Sequence, residues 1–363
     1  MQFKKIKINK WQQFEDIEID FHNRLTVLTG ANGSGKTTIL NLLGRHFGWD
    51  SHPIAVPKKD IVSKMWKWVA RILPTNSEIN DLNIGEIEYS NGKVAKLSVP
   101  DNAGGVQYAV NISGQENLAG FFIPSHRSIF RYQHIDNIPT TNNITNKLEA
   151  FYKISNSNKN RYFGSNDRSS SFYMKEVLIS WNIFGKGNDT MEPSEKLTEY
   201  YDEFENILKI VLPKDLGFNK FVVKNFEVVL ECDSGDFLID AASGGISAVI
   251  DIAWQIFMFS THEENMERKS TVLIDEIENH LHPTMQRRIL PDLVKAFPSV
   301  AFIVSTHSPL IIGSSKDSEV YAFRYNQNKK IISEKLDLLN KAKTASEVLD
   351  EVLGVSFTMP IWA

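Results

Sequence analysis

Cysteine is all but absent from this 363-residue chain: Cys232 stands alone, so no internal disulfide framework can hold the fold. It reads as a small apolar member of a strand over residues 226–232. No cluster of Cys and His has metal-ligand spacing, which argues against structural zinc. Long apolar runs are lacking as well, none approaching the roughly 20 residues that a bilayer span needs. At the N-terminus Lys4, Lys5 and Lys7 alternate with apolar positions, the pattern of a strand and not of a signal peptide. A cytoplasmic protein with no membrane partner is expected. The formal net charge is -4, so no sequence-wide basic field exists to grip a polyanion, and any contact with DNA or RNA must be local. With 42% hydrophobic and 23% charged residues, the composition is that of an ordinary globular chain with a sizeable core. No internal repeat is visible.

What the chain does have is a glycine-rich loop, Gly30-Ala31-Asn32-Gly33-Ser34-Gly35-Lys36-Thr37, between an apolar run (residues 25–29) and a helix-like start at Thr38. Glycines let the backbone curl until several N–H groups point inward, and the helix adds its positive dipole end, so the loop favours an anion. The pattern is GxxxxGKT. Lys36 is suited to the β and γ phosphates of a triphosphate, and the Thr37 hydroxyl to a Mg2+ ion bridging them. Asn32, Gly33, Ser34, Gly35 and Thr38 complete the expected nucleotide contacts.

The rest of the chain alternates between β and α character. Residues 3–21 read as a β-hairpin, and two alternating runs flank Asn91-Gly92, a type I′ turn signal. With a third run at 106–112 they suggest an antiparallel sheet beside the nucleotide core. A short buried strand at 120–124 leads into a polar loop. Residues 145–214 carry helical spacing and read as a helical insertion, with 156–171 its mobile loop. A strand at 271–274, a helix near 284–296 and a strand at 300–304 return to α/β order. The expected division is 1–144, 145–214 and 215–363.

Two later strands end in chemistry. Residues 270–274 run into Asp275-Glu276, and two acids at the end of a buried strand are costly unless a ligand uses them. Asp275 can help hold Mg2+, and Glu276 can orient and deprotonate an attacking water. Residues 300–304 run into Ser305-Thr306-His307, where His307 can donate to a γ-phosphate oxygen. If the strands are parallel, all these groups meet at one sheet edge. Between them, Ser243-Gly244-Gly245 opens a long apolar helix, a second anion site by the same physics. Two phosphate-type loops with one acid pair are reconciled if each subunit offers Ser243-Gly244-Gly245 to the nucleotide held by the other.

This set resembles the ABC-type ATPases. The resemblance implies an α/β P-loop ATPase head: a mixed core sheet with flanking helices, an N-terminal antiparallel β subdomain and a helical insertion. It makes residues 30–37 Walker A, Ser243-Gly244-Gly245 the signature, Asp275-Glu276 the end of Walker B and His307 the switch histidine. Gln133 is placed like the glutamine that senses Mg2+ and the γ-phosphate, with Gln107 and Gln115 nearby. The segment Ile277-Glu278-Asn279-His280-Leu281-His282-Pro283 departs from transporter subunits and is similar to the OLD-like and SMC-like group, which acts on DNA or serves prokaryotic anti-phage systems. Only 56 residues follow His307, too few for a TOPRIM nuclease. The resemblance therefore implies an ATP- and Mg2+-dependent homodimer, or higher even-numbered assembly, controlling a separate nuclease-like effector, as in Septu and PARIS systems. A RecF-like repair ATPase on DNA and a transporter's nucleotide-binding subunit are the other readings. Arg127 could face a phosphate or an acid, His280 and His282 suit subunit contact better than metal, and Trp66 and Trp68 read as core or interface.

Overall fold

Alternating apolar and charged residues set the first hairpin: Phe3–Asn9 (β1) and Phe14–Asp20 (β2) pair antiparallel, with Ile6 opposite Ile19 and Ile8 opposite Ile17. All four isoleucines are fully buried, so one face of the hairpin lies on the core while Lys5 on the other meets Glu18 and Asp20. Leu25–Gly30 (β3) has no such alternation. All six of its positions are buried, as in a strand covered on both faces. In this computed structural model, residues 1–59, 66–69, 81–100, 106–127, 129–138, 146–163, 168–260, 269–341, 343–348 and 350 are described. They fall into two compact units, one formed by the described residues within 1–122, 268–277 and 301–363, the other by those within 123–267 and 278–300.

In the first unit, helix α1 (Lys36–Gly44) follows β3. Val56–Lys59 (β4) and Trp66–Val69 (β5), the latter carrying Trp66 and Trp68, make a separate ribbon. Asp81–Tyr89 (β6) and Val94–Pro100 (β7) form the expected hairpin, with Gly92 at φ 82 in its turn, and Asn111–Ser113 (β8) adds to it. Gly120–Ile123 (β9) is short. Later strands are Phe218–Lys224 (β10), Glu227–Cys232 (β11) and Phe237–Leu238 (β12) of the second unit, then Ser270–Ile274 (β13), Val300–Thr306 (β14), Glu319–Tyr325 (β15) and Ile331–Lys335 (β16).

One sheet takes up eleven of these strands, in the order β8-β7-β6-β1-β2-β16-β15-β3-β14-β13-β9. The antiparallel strands thus do not lie beside the nucleotide core but continue into it. The β15–β16 hairpin makes the joint, β16 pairing in parallel with β2 and β15 in parallel with β3. Since β14 also runs parallel to β3, the loops after these two strands emerge at the same edge.

Just past α1, His46 reports on this core. Its Nδ1 faces the Leu43 carbonyl at 3.1 Å and its Nε2 faces the Tyr89 hydroxyl at 2.8 Å. Nδ1 must donate to the carbonyl, so Nε2 accepts from the tyrosine. Burial holds the imidazole down at about 4. A histidine depressed in the folded state is protonated first in the unfolded chain, so stability declines as pH falls from about 6.5 through 4. Chemical denaturation across that window will show this acid loss, and His46→Phe will flatten it even where the variant is less stable at neutral pH. An identical acid limb in the variant would assign the loss elsewhere.

The second unit is helical, with a three-stranded sheet β10-β11-β12. Its helices are Lys147–Phe163 (α2), Ser170–Lys186 (α3), Glu195–Val211 (α4), Gly244–Ser260 (α5), Pro283–Gln286 (α6) and Ile289–Ala296 (α7). Residues 247–258 of α5 are buried without a break, which makes it a central helix and not a surface one. Aromatic rings close around it: Trp254 is 4.8 Å from Phe204 and 5.6 Å from Trp181, centroid to centroid. Such pairs add about 0.5–1.5 kcal/mol each beyond burial.

Two expectations change here. Residues 156–163 of the segment read as a mobile loop belong to α2, and Ser170 starts α3; residues 164–167 lie outside the described residues. Ser and Asn are weak helix formers, but Ser157 is buried and Asn158 donates to Gln255 of α5 at 3.3 Å, so packing overrides propensity. The single helix near 284–296 is instead two, α6 and α7.

Candidate nucleotide-binding site

The glycine-rich loop joins β3 to α1 by backbone that only glycine tolerates. Gly35, the residue before α1, has φ 88, and a Cβ there would lie 2.3 Å from the Phe14 ring. Gly30 has φ 140 with the Phe323 carbonyl 2.5 Å from its Cβ position. The loop is therefore pressed between residues of β2 and β15, and the Tyr325 hydroxyl donates to the Gly33 carbonyl at 3.3 Å. No side chain caps α1 and its first turn holds no acid. The buried Ser34 hydroxyl has no hydrogen-bond partner. Uncapped N–H groups and an orphaned hydroxyl around a tight glycine loop fit a phosphate acceptor.

The charged groups meet at this edge. Buried Lys36 extends its ammonium to the carbonyls of Gly30 at 2.9 Å and Ala31 at 3.1 Å, with His307 Nδ1 at 3.5 Å. An ammonium has only protons to offer, so Nδ1 faces it as an acceptor and the imidazole proton sits on Nε2. That nitrogen is 3.8 Å from Glu276 Oε1. The Thr37 hydroxyl donates to Asp275 at 3.0 and 3.1 Å. One constellation thus gathers Lys36, Thr37, Asp275, Glu276 and His307, from the ends of β3, β13 and β14.

Asp275 is 2% exposed. Burial pushes its carboxyl above the ordinary carboxylate range, against hydrogen bonds from Ser305 and Thr37; neighbouring Glu276 adds to the rise and Lys36 opposes it. A divalent cation would favour the charged form. The hard oxygen donors Thr37 and Asp275 suit Mg2+, so the residues fit that ion.

Ser305, which the motifs leave without a role, organises the acid pair. Its hydroxyl donates to Asp275 Oδ1 and accepts from the Glu276 amide at 2.8 Å. Glu276 itself sits at φ 46, unusual for a non-glycine residue and of the kind stored at functional sites. The signal available in sequence was the hydroxyl at the end of a buried strand. Phe14 and Tyr325 gave none, because sheet pairing alone brings them to the loop.

Gln133 and Ser243-Gly244-Gly245 belong to the second unit. The Gln133 side-chain oxygen accepts from the Ser169 amide at 2.8 Å and hydroxyl at 3.0 Å, which occupies both lone pairs. Ser243 and Gly244 are exposed at the start of 17-residue α5. Gly245 passes the His280 carbonyl so closely that a Cβ would lie 3.0 Å from it. His282 caps α6, and Arg127 Nη2 donates to the Asn279 carbonyl at 3.5 Å.

A family model described as "AAA domain, putative AbiEii toxin, Type IV TA system" matches residues 25–313. The chain belongs to this AAA-domain family. A second AAA-domain model, of the P-loop region, matches residues 3–43. Membership agrees with the resemblance to OLD-like and SMC-like ABC-type ATPases drawn from the motifs. Among its relatives, the Retron Vc95 probable ATPase of Vibrio cholerae serotype O1 biovar El Tor is 24% identical over 88% of this chain and 73% of its own length. The Septu protein PtuA of Bacillus mycoides is 32% identical over 44% of this chain, and the match spans only 23% of that protein. A solved SMC head domain with an extended coiled coil, from Pyrococcus furiosus, aligns over 97% of this chain and 99% of its own with a TM-score of 0.50 at 13% identity. That likeness is one of fold. Among the described residues no helix is long and apolar enough to cross a membrane.

Proposed function

We propose that the chain hydrolyses ATP with Mg2+ and acts as a dimeric switch over a separate, nuclease-like effector in prokaryotic anti-phage defence. The observation that carries the reading is the contact of Lys36, Thr37, Asp275, Glu276 and His307 at neighbouring strand ends. In support, its relatives are named as a retron probable ATPase and a Septu protein, and the resemblance to Septu-type systems implies anti-phage defence and a separate nuclease.

In this mechanism the backbone amides of residues 32–37 and the Lys36 ammonium hold the phosphates, with Thr38 at the start of α1 beside them. Thr37 and Asp275 would hold Mg2+, which when bound would supply neutralisation of the phosphate charge. Glu276 accepts a proton from the attacking water as the new bond to the γ-phosphorus forms and the bond to the β-phosphate oxygen breaks, leaving ADP and phosphate. His307, protonated on Nε2, offers that proton to a γ-phosphate oxygen. Gln133 carries the part that the resemblance gives its position, sensing Mg2+ and the γ-phosphate. Ser243, Gly244 and Gly245 of a second copy close the site from outside.

The test is ATP binding and turnover by the purified chain and its Lys36→Ala variant. Loss of a charge-assisted contact of about 1.5–3 kcal/mol will weaken nucleotide affinity about 10- to 100-fold and abolish phosphate release. Unchanged affinity in a folded variant would refute the loop as the phosphate site. Strong stimulation by DNA alone would point to a RecF-like repair role instead.

A further inference from the structure

Within the second unit a lysine lies at 0% exposure with three segments on its ammonium. Lys175, on α3, contacts Asp240 Oδ2 at 2.5 Å, Glu227 Oε2 at 3.1 Å and the Gln133 backbone carbonyl at 2.6 Å. The Tyr132 ring lies 5.1 Å away. Asp240 is itself 2% exposed. It occupies the 3-10 turn Ile239–Ala241, three residues before Ser243, and Glu227 starts β11. Gln133 is tied to the start of α3 a second time, by its Ser169 bonds.

A buried ion cluster of this kind is poor evidence for stability, because desolvation offsets most of the attraction. What it fixes is geometry: three donor positions on one ammonium must all be satisfied at once. We propose that Lys175 is a positioning residue, which through Asp240 and the Gln133 backbone holds the segment leading to Ser243 in register with the Gln133 segment. The helical region then sets how the signature is presented to a second copy. A partner that shifts α3 would alter dimer closure without touching nucleotide. The inference rests on the reading of Ser243-Gly244-Gly245 as a cross-dimer contact.

The test uses the full chain carrying Glu276→Gln, with Asp240→Asn alone and Lys175→Met/Asp240→Asn together; the second leaves no buried aspartate charge behind. Two quantities are read, the affinity of the monomer for a fluorescent ATP analogue and the dissociation rate of the ATP-bound dimer. Neither depends on what fraction of the sample is active, so a role confined to stability would move neither. The expected result is nucleotide affinity within twofold of the parent and dimer dissociation at least tenfold faster. Dissociation within twofold of the parent in either folded variant would overturn the proposal while the cross-dimer reading stands. If the Glu276→Gln parent forms no ATP-dependent dimer, or Ser243→Arg leaves hydrolysis intact, the underlying reading fails and the proposal with it.

Discussion

Glu276→Gln will cut ATP turnover by about 10²- to 10⁴-fold, the usual contribution of a positioned general base, while leaving ATP binding intact. The substitution keeps the size of the side chain and removes only its capacity to take a proton. Glu276 is well placed for that step: half-exposed, held in a left-handed turn by Ser305, and facing the proton-bearing nitrogen of His307. The phosphate-binding groups stand on β3 and α1 and are unchanged. ATP should accumulate on the protein, and if nucleotide closes the dimer, the molar mass in ATP and Mg2+ should rise to at least twice that of the chain. Wild-type turnover in the variant would remove Glu276 from the mechanism.

Ser243→Arg will abolish hydrolysis and leave nucleotide affinity within about twofold of wild type. The arginine adds bulk at an exposed position where α5 begins, so it has no core to disturb and surface changes of this kind usually stay within about 0.5 kcal/mol. What it obstructs is the N–H donors of Ser243, Gly244 and Gly245 as an anion site. If phosphate release continues unchanged, these residues serve only as a helix start. Equilibrium binding of a fluorescent ATP analogue and steady-state phosphate release, measured on one preparation, separate the two outcomes.

The candidate site is legible in sequence because its chemistry is local: eight consecutive residues give the loop, and each of the later strands ends in its own functional group. Parallel pairing of β3 with β14 then follows from two runs buried along their whole length. Less was legible where distant segments meet. The hairpin of β15 and β16, EVYAFRY and IISEK, is too short and too charged to announce that it joins the antiparallel strands to the core. Ser157 and Asn158 read as loop residues because their helical state depends on α5, almost 100 residues away. Lys175 gives no signal, since a lysine in a largely apolar helix acquires meaning only when Asp240, Glu227 and Gln133 are brought to it. Ser305 stands in plain view beside His307, but only its bonds to both acids reveal its part.

The central claim is that each nucleotide is held by one copy and completed by another, and mixing two inactive variants tests it directly. Lys36→Ala removes the phosphate grip and Ser243→Arg removes the contribution to the neighbour. In a mixed dimer both lesions fall in the same composite site, and the other site is intact. The account predicts that the mixture releases phosphate from ATP while each variant alone is silent. A mixture as silent as its components, under conditions where mass spectrometry shows mixed dimers, would contradict it.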